Sequence, residues 1–206
     1  MLITEPETYD GITTIGDFEE FARSLGNPIP LESGAFVKQL KVTTSELARA
    51  NSLSSRYGTG SFPFHTDTAF WRTPARLVLL RGVGGNLSRP TLVTPFAPIV
   101  EQISIQKLKQ GAWICDKGRR KTYTTIFFEH EGLSGMRYDP SCMIPANKPA
   151  QEADEILRSR CFNIEGETID WIEGRVAVIP NWSYLHARES FKSEDCSRLI
   201  ERIYIY

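Results

Sequence analysis

In Gly174-Arg175-Val176-Ala177-Val178-Ile179-Pro180-Asn181-Trp182-Ser183-Tyr184-Leu185-His186, a short apolar run rich in β-branched residues ends at a Pro-Asn pair. A run of this length, bounded by glycine on one side and turn residues on the other, reads as a buried strand entering a turn at Asn181-Trp182. The histidine that follows is thereby placed near a strand end. Side chains alternate between the two faces of a strand, so a sheet can aim that imidazole at the interior.

The same punctuation recurs along the chain. Short apolar or alternating runs bounded by Gly, Pro, Asn and Asp predict strands over Phe62–Thr66, Leu77–Arg81, Thr122–Phe128, Met136–Tyr138, Arg175–Ile179 and Arg198–Tyr206. Helical spacing of Phe18, Phe21, Ala22 and Leu25 predicts a helix over Asp17–Leu25, with Asp17 and Glu20 as a capping box and Gly26 as its stop. Further helices are expected at Leu47-Ala48 after Thr43 and Glu46, over Pro98–Lys109, and over Ala150–Arg158. Many short strands with helices clustered between strand groups favour a β-sandwich or jelly roll with added helices over a parallel α/β sheet. At 206 residues without a linker or repeat, residues 1–206 are expected to form one domain.

Three histidines occur in the chain. One stands in Phe64-His65-Thr66-Asp67, where residues two apart on an extended segment project to the same side, so an imidazole and a carboxylate can meet one ion. Chance alone produces such a spacing in roughly one chain in six at ordinary residue usage, so the motif needs a partner. His186 supplies it. Two histidines and a carboxylate on a β scaffold make the facial triad that leaves positions on iron(II) open for a co-substrate and oxygen. Zinc with two histidines and a carboxylate is the hydrolase alternative, and a ligand-binding jelly roll without catalysis is the other. A 2-oxo acid chelating such a metal needs a cation for its distant carboxylate. Arg198 and Arg202, four apart on the last strand beside Ile200 and Tyr204, can offer it from one face.

The remaining features read as structural. His130, between Glu129 and Glu131, is an exposed histidine and not a ligand, and Gly82-Val83-Gly84-Gly85 lacks the helix and spaced acid of a dinucleotide site and reads as a turn. Lys117, Gly118, Arg119, Arg120 and Lys121 form a basic hairpin tip; a net charge of -1 argues against nucleic acid or an anionic membrane. The four cysteines are widely spaced and read as reduced thiols. No segment approaches the roughly 20 apolar residues of a membrane span. The expectation is a cytoplasmic protein, monomer or homo-oligomer, acting on a small molecule.

Three segments resemble the taurine dioxygenase (TauD/TfdA) family of iron(II)/2-oxoglutarate oxygenases and its clavaminate synthase-like relatives. They are Tyr57 to Asp67, Gly174 to Arg188, and Arg198-Leu199-Ile200-Glu201-Arg202, and Phe18 to Pro28 is similar to the family's opening helix. The resemblance implies a double-stranded β-helix, a cupin-like jelly-roll barrel, with His65, Asp67 and His186 as metal ligands and catalytic centre. It implies Arg198 as the anchor of the 2-oxoglutarate carboxylate, with Thr91 beside it and Thr94 as the alternative. Arg202 would face substrate; apart from the resemblance, Arg188 offers a second cation for an anionic substrate group, and Tyr184, bordering the metal motif, can line the substrate pocket. The implied chemistry takes Fe(II), 2-oxoglutarate and O2, hydroxylates or desaturates a small amino-acid-like or other anionic metabolite, and releases succinate and CO2. The segment between the metal motifs is shorter than in most relatives, which implies a reduced lid or an open mouth. Pro180-Asn181-Trp182 replaces the family's usual Asp-Asn ahead of the distal histidine.

Overall fold

Two antiparallel sheets face each other across the middle of the molecule. The computed structural model describes residues 3–48, 50, 52–116, 121–163, 165–192 and 197–206. The larger sheet runs β1 (Glu7–Tyr9), β12 (Val176–Pro180), β4 (Leu77–Gly84), β14 (Leu199–Ile205), β2 (Lys38–Lys41). The smaller runs β11 (Glu167–Ile169), β5 (Thr91–Pro95), β13 (Tyr184–Arg188), β3 (Phe62–His65). Strands distant in sequence lie side by side, as the double-wound path of a jelly roll requires.

Strand parity divides the core into three layers. On β4 and β12, Val78, Leu80, Ala177 and Ile179 turn inward and meet Val93 of β5, Ile169 of β11 and Trp171 between the sheets. Their alternates Leu77, Leu79, Val176 and Val178 turn outward against Phe18 and Ala22 of helix α1 (Ile15–Leu25). On the far side of the smaller sheet, Leu185 and Ala187 pack on Leu157 and Ala153 of helix α5 (Lys148–Asn163). Strands buried on both faces read as continuous apolar runs, which is why the Val176 stretch lacks alternation.

The strand Arg198–Tyr206, whose arginines would also suit a solvated edge, lies between β4 and β2. Ile200, Arg202 and Tyr204 share the inward parity, while Glu201, Ile203 and Ile205 face α1. Glu201 is buried there against Arg81, with Nη2 2.6 Å from its carboxylate.

Several local expectations shift. Helix α1 starts two residues earlier, at Ile15, because the Thr14 hydroxyl accepts the Asp17 amide while the Asp17 carboxylate accepts that of Thr14. No helix forms at Leu47-Ala48; the short helix α2 (Leu53–Tyr57) follows, capped by Ser52. The expected Pro98–Lys109 helix divides into α3 (Ala97–Val100) and α4 (Ile105–Gln110). The expected strand over Thr122–Phe128 divides into β7 (Lys121–Thr124) and β8 (Phe127–His130), since buried Ile126 between them turns into the core. Strand β7 pairs with β6 (Trp113–Asp116), itself paired with β10 (Met143–Pro145). Strand β8 pairs with β9 (Leu133–Met136), so the strand expected from Met136 ends there. Gly82 and Gly84 belong to β4, and the turn begins at Gly85. Of the basic cluster, Lys117 to Arg120 lie outside the described residues, as does Cys196; Cys115, Cys142 and Cys161 are thiols. No helix among the described residues is long and apolar enough to cross a membrane.

Candidate metal centre

The imidazoles of His65 and His186 come from neighbouring strands of the smaller sheet. The two residues are direct register partners of the β3–β13 pair, so their side chains leave the sheet on the same face, with ring centroids 4.4 Å apart. Asp67 follows β3 by two residues. Its carboxylate lies 3.7 Å from Nε2 of each histidine, and one ligand atom from each of the three residues falls within 4.8 Å of the others. All three are buried.

The surroundings fix each ligand. His65 Nδ1 lies 2.9 Å from the carbonyl oxygen of Pro63, which suits the tautomer that donates from Nδ1 and leaves the Nε2 lone pair toward Asp67. Thr66, the residue between the ligands, donates its amide to the Tyr138 carbonyl and accepts the Tyr138 amide on its hydroxyl. Asn181, fully buried at the turn that follows β12, accepts the Asp67 amide at 2.9 Å and donates to the Asp67 and Ala75 carbonyls at 3.0 and 2.8 Å. Buried Arg137 donates to the carbonyls of Ala69, Trp71 and Arg72, fastening the loop beyond Asp67; burial lowers its pKa to about 10, which leaves it cationic.

Electrostatics keep the set ready for a cation. Burial alone would raise the pKa of Asp67, but Arg202 donates to its Oδ2 from 2.8 Å and holds the carboxyl well below the usual range. Burial and the neighbouring His65 push His186 down to about 3, so its imidazole is neutral. Burial pulls His65 down as well, yet its contact with Asp67 leaves its pKa raised.

Two imidazole nitrogens and an ionised carboxylate, buried and convergent, fit the two-histidine, one-carboxylate donor set of non-haem iron(II). Arg202 occupies Oδ2 of that carboxylate, and His65 faces Oδ1 at 3.7 Å. Nδ1 of His186 has no hydrogen-bond partner among the described residues, unlike the usual metal-bound histidine.

The other expected site residues lie around this centre. Thr91 and Arg188 are register partners, and Val93 is the partner of His186, so Thr91, Arg188 and His186 leave the smaller sheet on one face. Thr94 pairs with Leu185 and leaves by the opposite face. The Thr91 hydroxyl accepts from Trp171 Nε1 at 3.2 Å. Tyr184, partly buried at the start of β13, packs on the intersheet core. Arg198 is buried ahead of β14, with its guanidinium carbon 5.4 Å from the centre of the Phe191 ring. Arg188 donates from Nη2 to the carbonyls of Gly58 and Gly60, at 3.0 and 2.6 Å. His130 stands apart from the centre, beside Thr73 and the ring of Trp182. Asn181 and Arg137 were not anticipated as site residues; each acts through hydrogen bonds to loop backbone far away in sequence, and no local pattern announces that.

No family model matches the chain, and no curated protein matches it. Solved structures do. An asparagine oxygenase in complex with Fe(II), 2S,3S-3-hydroxyasparagine and succinate has a TM-score of 0.70 at 18% identity, over 90% of this chain and 62% of that one. The non-heme iron oxygenase OrfP with Fe, succinate and (3S)-hydroxy-L-Arg has a TM-score of 0.68 at 18% identity, over 92% and 65%. PvcB from Pseudomonas aeruginosa has a TM-score of 0.68 at 14% identity, over 98% and 76%. The chain thus has the jelly-roll fold of these oxygenases, and it spans less than two thirds of the length of the first two.

Proposed function

We propose that this chain is an Fe(II)/2-oxoglutarate-dependent oxygenase of the TauD/TfdA type, acting on a small anionic, amino-acid-like metabolite. The observation that carries the reading is the convergence of His65, Asp67 and His186 within 4.8 Å, buried in a jelly roll. A bound iron(II) would supply the means to reduce oxygen and oxidise a C–H bond, with one oxygen atom ending in succinate and the other in the hydroxylated product. Decarboxylation of 2-oxoglutarate provides the two electrons and releases CO2.

The chain's own residues have defined parts. His65 and His186 would hold the iron through imidazole nitrogens and Asp67 through its carboxylate, which Arg202 keeps ionised and in place. Arg198 receives the distal carboxylate of 2-oxoglutarate, with Thr91 on the same side of the site as the ligands. The remaining donors of Arg202, with Tyr184, meet the anionic group of the substrate. Burial excludes water from the ligands and strengthens each of these charge contacts. The solved neighbours whose complexes hold hydroxyasparagine or hydroxy-arginine support an amino-acid substrate class.

Anaerobic addition of Fe(II) and 2-oxoglutarate tests this reading. A weak visible charge-transfer band, followed by oxygen-dependent succinate formation with an amino-acid panel, is the expected result. A colourless mixture with tight retention of zinc would instead indicate a metal hydrolase, and a band without succinate under any substrate would leave a ligand-binding protein.

A further inference from the structure

Two guanidiniums share one aromatic ring beside the metal centre. The guanidinium carbon of Arg188 lies 3.6 Å from the centre of the Phe62 ring and 4.1 Å from that of Phe191, so the group is sandwiched between them. Phe191 also meets Arg198, whose guanidinium carbon is 5.4 Å from the ring centre. The stack is tied to backbone on both sides. Arg188 Nη2 donates to the Gly58 and Gly60 carbonyls, and the Phe191 amide donates to the Thr59 carbonyl at 2.7 Å. The Arg188 guanidinium is thus held by ring faces and by loop backbone.

The Arg198 end is equally constrained. Gly85 has φ +76°, and a Cβ there would stand 1.9 Å from the Ser197 carbonyl oxygen, so the β4 turn presses directly on the residue before Arg198. The Asn86 amide donates to the Ser197 hydroxyl at 2.9 Å. With its backbone held on that side, the Arg198 guanidinium comes to lie beside the Phe191 ring.

We propose that Arg188 is a positioning residue for the co-substrate anchor: clamped between Phe62 and Phe191, it fixes the ring that orients Arg198, and so sets affinity for the dicarboxylate without touching substrate. The proposal rests on the oxygenase reading above. Its chemical reason is that a forked contact between guanidinium and carboxylate demands angular precision, and a guanidinium held by two rings and loop backbone steadies the neighbouring ring where a flexible ammonium would not.

The test uses the whole protein loaded anaerobically with Fe(II), titrated with 2-oxoglutarate and followed by its visible band. Arg188→Lys keeps the charge but loses the planar stack and the two-carbonyl contact; Phe191→Leu keeps apolar volume but removes the ring. Both variants are expected to weaken 2-oxoglutarate binding by about tenfold, with Fe(II) affinity unchanged within about threefold. The double variant should be no weaker than either single one, because both remove the same support. Wild-type 2-oxoglutarate affinity in Arg188→Lys would overturn the proposal and leave a purely electrostatic role. A raised KM for substrate with unchanged 2-oxoglutarate binding would overturn it in favour of a substrate contact. Absence of any band in the wild-type protein would overturn the oxygenase reading itself, a result distinguishable from either of these.

Discussion

Replacing Asn181 by alanine removes three hydrogen bonds at the residue most directly responsible for where Asp67 stands. The Asp67 amide loses its acceptor in a fully buried setting, and the carbonyls of Asp67 and Ala75 each lose a donor. The carbonyl of Asp67 retains the Thr68 hydroxyl at 2.6 Å, so it is only partly stripped. A buried polar group left without its partner costs about 1–3 kcal/mol, which puts the whole substitution near 3 kcal/mol. For a chain of this length that corresponds to a fall in melting temperature of roughly 6–12 °C. The metal centre should suffer independently of global stability, because loss of a group that orients a ligand typically lowers metal affinity about 10–100-fold. Thermal unfolding of the metal-free protein, paired with anaerobic titration of Fe(II) or Co(II), measures both effects. A stability loss under about 1 kcal/mol together with metal affinity within about twofold of wild type would refute the role assigned to Asn181.

Metal affinity should fall on acidification with the slope of a single proton, about tenfold per pH unit once His65 begins to titrate. Its pKa is raised by Asp67 against the pull of burial, whereas burial and His65 hold His186 near 3 and Arg202 keeps Asp67 ionised against its own burial. Of the three, His65 is therefore the group that takes up a proton as pH falls through its raised range, above the ordinary 6.5, and a two-proton slope in competition titrations would contradict this assignment. On the outer face of β14, Glu201→Ala should cost about 3–5 kcal/mol in chemical denaturation, since it leaves buried Arg81 without its carboxylate. The paired change Arg81→Met with Glu201→Leu should recover most of that loss; a pair as damaging as the single change would mean that packing, and not charge, dominates there.

The ligand set was legible because β-structure has a period of two. Parity was enough to suggest that His65 and Asp67 meet, although Asp67 lies beyond β3 in a turn held by Asn181, and His186 needed only a buried run stopping at a turn. Parity also separates Thr91 from Thr94, but only once the register of β5 against β13 is known, and register between segments some 90 positions apart carries no local signal. The same limit hid the direct opposition of His65 and His186 across β3 and β13. Local misreadings arose where short elements compete with side-chain capping. Ser52 and Thr14 set helix starts through single hydroxyl contacts, and Ile126 breaks an apparently continuous strand by turning into the core. Pro180-Asn181-Trp182 reads only as a turn in sequence, yet in the fold Asn181 holds the backbone of Asp67 and Trp182 donates to the Pro74 carbonyl.

The centre draws on both sheets, and this links assembly of the barrel to assembly of the site. The imidazoles belong to β3 and β13 of the smaller sheet, while Arg202 reaches Asp67 from β14 of the larger. Asn181, at the end of β12, holds the backbone of Asp67 from the larger sheet as well. Burying Asp67 and Arg202 separately would be costly, so their 2.8 Å contact is favourable only when the sheets have closed and water has left. The β3–β13 pair brings His65 and His186 together within one sheet, whereas the Arg202 contact on the Asp67 carboxylate comes from the other. A divalent cation should therefore select the fully packed barrel over partly opened states and stabilise it by mass action. The inward face of β14 thus joins packing to electrostatics, since Ile200 completes the apolar layer between the sheets and Arg202, two residues later, holds the Asp67 carboxylate ionised.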